Sequence, residues 1–215
     1  DKDRTLSPEK VNELFTAGKF KPLPQGDFNA GFTKSNFWLA IKPSGSATDQ
    51  NLIVGNAHIN RLEFYLANHN GIQLKYQTGD YYPFNQRPVR SRFFVFPLET
   101  DLSSIYLVMV DKHNESLQLK AEIISDEHFF QRTSNESLIT GILCGITILL
   151  LLFGCFLFIT AKEKLYLDYV LYILSGTLWI LADKGYGYQF LWPNSPDFAS
   201  LARPVFCCIA MPMVL

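Results

Sequence analysis

Between Leu138 and Thr160 stand 23 consecutive residues with no Asp, Glu, Lys, Arg or His among them. As an α-helix rising about 1.5 Å per residue, the run is about 34 Å long, enough to cross a hydrocarbon core of roughly 30 Å. A helix packed into a soluble core keeps a polar side for water, and this run has none, so it reads as a membrane span. Its position in the second half of the chain excludes a cleaved signal peptide.

Charge is distributed accordingly. Beyond Ser137 the charged residues are only Lys162, Glu163, Lys164, Asp168, Asp183, Lys184, Asp197 and Arg203, and everything before is ordinary mixed-charge sequence. A formal net charge of −1 and the lack of a Lys/Arg-rich run argue against nucleic acid as a partner. All four cysteines, Cys144, Cys155, Cys207 and Cys208, lie in apolar segments. The polar part therefore has no disulfide framework and must be held by a hydrophobic core.

Ser7-Pro8-Glu9, then Val11, Leu14 and Phe15 at helical spacing, then Gly18, reads as a short capped helix. After it the period changes to two. Seven strands are predicted: Asn36–Lys42, Asn51–Asn56, Arg61–Ala67, Ile72–Gln77, Arg92–Leu98, Ser104–Val110 and Ser116–Ile124. Asn68-His69-Asn70-Gly71 tolerates positive φ and marks a hairpin. The expectation is an all-β sandwich or jelly roll over residues 1–125. Residues 126–137 lead without Pro or Gly into the span, and two readings stand for them, a helical stalk or a polar linker.

Lys162-Glu163-Lys164 forms a polar turn and Tyr166–Ala182 a second apolar stretch, so residues 138–215 read as the first part of a multi-span membrane domain. A third stretch starts near Leu201 and reaches Leu215 after about 15 residues, short of the roughly 20 a span needs, so further spans are expected. Lys162 and Lys164 against Lys184 and Arg203 leave the orientation undecided by charge. Tyr186, Tyr188, Phe190 and Trp192, in Gly185–Pro196, suit an aromatic belt at the membrane edge, with ligand capture as the other reading.

Three stretches together, GFTKSNFWLAI (Gly31–Ile41), GDYYPFNQRPVRSRFFVFPL (Gly79–Leu98) and GYGYQFLWPNSP (Gly185–Pro196), resemble the bacterial seven-transmembrane receptors with diverse intracellular signalling modules (7TMR-DISM). The resemblance covers nearly the whole chain, with the extracytoplasmic sensory domain of the second type followed by the start of the seven-helix region. It implies a jelly-roll sensor similar to carbohydrate-binding modules in the periplasm, a bacterial inner-membrane location, and a cytoplasmic output outside these residues. The partners it implies are membrane lipid and a small-molecule or glycan ligand, with a second copy or a regulatory protein also admitted.

No catalytic constellation stands in the sequence, which lacks G-x-S-x-G, H-E-x-x-H and a P-loop, so an enzyme is not expected, nor a cofactor. His113 with Asp111 and Glu115 makes at best a weak cation site, and no metal is expected. For ligand binding, Tyr81, Tyr82, Asn85, Arg87, Arg90 and Arg92 combine aromatic faces with polar and cationic groups in one connection. Guanidinium groups there match a carboxylate or phosphate. The competing reading is structural: Asp80 capping the turn and pairing with Arg87, Phe84 plugging the sandwich, Pro88 stiffening the loop. Trp38, among apolar neighbours, reads as a core or sheet-face residue before a sugar platform. Asp168 is costly near a membrane unless paired, and Lys164 is its natural partner. The function that follows is a transmembrane receptor, the alternative being a membrane-anchored carbohydrate-binding or adhesion module that does not signal.

Overall fold

The computed structural model describes residues 1–23, 27–43, 49–99, 104–112 and 115–210, which fall into two compact units, 1–126 and 127–215. In the first, helix α1 (Pro8–Thr16) starts where the Ser7 hydroxyl accepts the Lys10 N–H at 3.3 Å with Pro8 in the first turn. It stops at Gly18, whose φ of +68° lets the Lys19 N–H turn back to the Leu14 carbonyl. Its one fully buried side chain is Val11, 1% exposed.

Among the described residues eight strands follow: β1 (Asp27–Thr33), β2 (Phe37–Ile41), β3 (Gln50–Val54), β4 (Arg61–Asn68), β5 (Gly71–Thr78), β6 (Phe94–Pro97), β7 (Ile105–Asp111) and β8 (Glu115–Ser125). They form two antiparallel sheets, β1-β8-β3-β6 and β2-β7-β4-β5, the strand order of a jelly roll. The core lies where the alternation puts it. Leu62, Phe64 and Leu66 of β4 meet Phe94 and Phe96 of β6, and the Phe64 and Phe96 rings stack at 4.7 Å, joining one sheet to the other. Tyr106 is buried as deeply, yet its hydroxyl reaches Glu99, accepting the N–H at 2.8 Å and donating to the carbonyl at 3.1 Å.

The β4–β5 hairpin is built as its residues suggest: the Asn68 side chain accepts the Asn70 N–H at 2.9 Å and Gly71 takes φ +105°. Strand β1 was not expected. Its pairing with β8 shifts register between Asn29 and Gly31, where Gly31 has φ +62° and donates to the Asn29 side chain at 2.9 Å. This bulge breaks the period-two pattern and leaves Phe32 84% exposed, so the strand is masked in the sequence.

In the second unit, α2 (Asp126–Ala161) and α3 (Lys164–Asp183) are long and apolar enough to cross a membrane. Only Lys162 and Glu163 separate them, with Lys162 at φ +57° and its N–H on the Phe158 carbonyl. The two helices approach closely at Gly154, where an added Cβ would lie 2.6 Å from a Val170 methyl. Beyond α3 a π-helical turn over Gly187–Leu191 leads to α4 (Pro196–Ala210), which carries Pro204 in its interior. No ion pair joins Lys164 to Asp168 among the described residues, so the pairing expected from their spacing is not made.

Candidate functional site

The connection from β5 to β6 is a compact, tethered loop. At its start the Asp80 N–H donates to the Ile59 carbonyl at 2.8 Å and the Tyr81 N–H to the Asn60 carbonyl at 3.3 Å. A 3₁₀ turn, Phe84–Gln86, then drops Phe84 into the interior. Arg87 follows it inward. Its Nη1 donates to the Ser91 carbonyl at 3.0 Å and the Arg92 carbonyl at 2.7 Å, and its guanidinium lies 4.7 Å and 4.2 Å from the Phe84 and Phe94 ring centres. A cation held this way satisfies backbone acceptors and covers aromatic faces, which is how a loop without regular structure is made rigid.

The other candidate residues distribute differently. Tyr81, Asn85 and Arg90 are exposed, Tyr82 and Arg92 half-buried, the Arg92 guanidinium lying 4.1 Å from the Phe93 ring centre. The loop thus turns Arg87 inward and displays the aromatic and polar groups of its neighbours. His113 lies outside the described residues; of its suggested companions, Asp111 pairs with Arg4 and Glu115 with Lys112 at 3.3 Å. Among the described residues no three His, Cys, Asp or Glu side chains gather as metal ligands.

A second polar assembly was not foreseen. On the face of β4 turned away from the core, buried Glu63 accepts from Arg61, from the Tyr65 hydroxyl at 2.6 Å and from Gln77 of β5 at 3.1 Å. Burial, then the hydrogen bond to Glu63, push the Tyr65 phenol well above its ordinary range, and the bond to Glu63 raises Arg61 further. Alternation marks Arg61, Glu63 and Tyr65 as one strand face; only the register, which sets Gln77 opposite Glu63, completes the group. Trp38 of β2 lies on the same face, its ring 5.9 Å from that of Tyr65.

In the membrane unit, Tyr186 and Tyr188 are buried and only Phe190 of the expected belt stands well exposed. Trp192 packs on Phe198 at 5.1 Å and Phe206 at 6.0 Å. These aromatics mostly serve packing around the π turn.

Residues 1–125 match the family model described as 7TMR-DISM extracellular 2, and residues 136–215 the one described as 7TM diverse intracellular signalling. The chain belongs to the 7TMR-DISM family. No curated protein matches it. For this 7TMR-DISM chain the two matched regions coincide with the jelly roll and with the apolar helices, so it is a membrane receptor chain with an extracellular β-domain and a signalling role. The 7TMR-DISM extracellular domain carries both polar assemblies, the loop 79–93 and the Glu63 group.

Proposed function

We propose that this chain is the sensing and transmitting part of a bacterial inner-membrane receptor. Its jelly roll lies in the periplasm, binds a carbohydrate-like ligand or a partner, and passes the change through its helices to a cytoplasmic output outside residues 1–215. Tyr81, Asn85 and Arg90, with half-buried Tyr82 and Arg92, are the groups offered to that ligand, and Arg87 holds their loop in shape.

One observation carries the transmitting role. Strand β8 ends at Ser125 and α2 begins at Asp126, so the chain passes from strand to helix without an intervening loop. Asp126 is fastened to the sandwich: its N–H donates to the Asp49 carbonyl at 3.0 Å and its carboxylate accepts from the Asn51 side chain. A ligand biases a two-state receptor only through different affinities for the two states, and such a join allows a change in the β-domain to be felt by the helix.

The test is to insert several Gly residues between Thr133 and Ser137 in the complete receptor. Signalling should be lost while ligand binding by the β-domain is kept. Signalling that survives the insertion would refute transmission through the join, and ligand binding that evokes no signal even in the parent would favour a tethered carbohydrate-binding or adhesion module instead.

A further inference from the structure

The Glu63 group leaves one of its members half-engaged. Arg61 directs Nε, at 3.0 Å, and Nη2 at a single oxygen of Glu63, while its Nη1 makes no hydrogen bond among the described residues. Its side chain is 44% exposed, against 9% for that of Glu63. Glu63 is fixed in turn by the Tyr65 hydroxyl and by Gln77 of β5. Arg61 is therefore gripped along one edge and left with Nη1 and the remaining Nη2 hydrogen, the fork that fits a carboxylate. Stability alone accounts poorly for this arrangement, since a buried carboxylate gives up more hydration than an apolar side chain in the same place. A guanidinium ordered beforehand binds an anion without the entropic cost of being immobilised.

Arg61 also borders the loop. The Gly79 backbone is so near that a Cβ there would lie 2.9 Å from the Arg61 Cα, and the Tyr81 N–H is bonded to the carbonyl of Asn60, the residue before Arg61. Glu63 holds the Arg61 pKa up, first through its hydrogen bond and then through its charge, and the Tyr82 phenol adds to the shift, so Tyr82 stands near the guanidinium. Charge in the loop is one-sided: residues 79–93 carry Arg87, Arg90 and Arg92 against Asp80, and Asp80, like Glu63, is buried. Arg90 is exposed and has no protein partner among the described residues. Exposed Glu9 of α1 reaches the group only as the last of the influences on Tyr65.

We propose that Arg61, positioned by Glu63, binds the acid group of the ligand, and that this ligand is an acidic saccharide whose ring lies on Tyr81 and Tyr82. The proposal rests on the reading of loop 79–93 as the ligand surface and narrows its ligand class.

The full chain in lipid nanodiscs is titrated calorimetrically with digalacturonate and with its dimethyl ester, which has the same rings and no charge. Digalacturonate should bind at least about tenfold more tightly than the ester, the worth of a charge-assisted hydrogen bond. Arg61→Lys, which keeps the charge and loses the fork, should weaken digalacturonate by about the same factor and leave the ester unchanged, an outcome that loss of folding does not imitate. Glu63→Gln removes a negative charge from the surface, so through charge alone it would tighten digalacturonate, whereas loss of the grip on Arg61 should weaken it. Acetate should not displace digalacturonate, because it has no ring for the tyrosines. The proposal is overturned if digalacturonate does not bind, if the ester binds as tightly, if Arg61→Lys changes both sugars alike or neither, if Glu63→Gln tightens the acid, or if acetate displaces it as an adventitious anion. Cellobiose bound by the parent and lost in Tyr81→Ala, with digalacturonate unbound, would leave the loop as the ligand surface and overturn the acidic class alone.

Discussion

The Gly79 backbone lies directly against that of Asn60, so closely that a Cβ on Gly79 would fall 2.1 Å from the Asn60 carbonyl oxygen. Gly79 also has φ +149°, which side chains rarely adopt. Gly79→Ala therefore meets both backbone strain and a clash with main chain that cannot step aside. It should destabilise the β-domain by about 2–4 kcal/mol. Faster hydrogen exchange at the β4 and β5 amides, with a lower thermal midpoint, is the expected result; a parent-like midpoint would contradict the close approach.

Arg87 and Arg90 are three residues apart and should behave oppositely. Removing buried Arg87 orphans the Ser91 and Arg92 carbonyls and strips cover from Phe84 and Phe94, so Arg87→Ala should cost about 3 kcal/mol. Exposed Arg90→Ala should stay within about 0.5 kcal/mol of the parent while weakening the ligand. Urea unfolding of both variants, paired with binding measurements, separates scaffold from contact.

Tyr65 gives a pH dependence whose sign is defined. Its folded-state pKa is raised by burial and Glu63, so above about pH 10 the unfolded chain releases a proton that the folded one keeps. The stability Tyr65 contributes is complete below that point and declines as pH climbs. Comparing urea midpoints at pH 8 and 11 for the parent and Tyr65→Phe isolates this share: the parent should lose more stability than the variant, and equal losses would refute the linkage.

Where α2 and α3 approach, Gly154 leaves no room for a side chain beside Val170. Gly154→Ala should loosen the helix pair, and Gly154→Ala with Val170→Ala should recover part of the loss, because the two residues share one contact. Thermal unfolding in detergent reads both. Additive losses in the double variant would place the helices further apart than described.

Most strands were legible because each presents one face to the core: Leu62, Phe64 and Leu66 announce β4 by alternation alone, and the Asn and Gly residues at 68–71 announce its turn. Strand β1 escaped because the bulge at Gly31 disrupts the same alternation. At the candidate site, residue type admitted Arg87 both as a ligand contact and as a structural pillar, and only burial shows its side chain turned inward. The Glu63 group was invisible for a different reason: Gln77 is 14 residues distant and only strand register brings it there. Tyr186 and Tyr188 read as membrane-edge anchors, but the π turn, closed by the Trp192 N–H on the Gly187 carbonyl at 3.1 Å, winds them inside.

The unbroken course of α2 has an angular corollary. Each residue of a helix advances the chain by about 100°, so the bearing of the Leu150 side chain relative to Asp126 depends on the number of residues between them, not only on their chemistry. Adding one residue there would swing every lipid-facing group by more than a quarter turn, while adding seven would bring it nearly back to its starting azimuth. Homologous chains should accordingly tolerate substitutions along this segment far better than single-residue insertions.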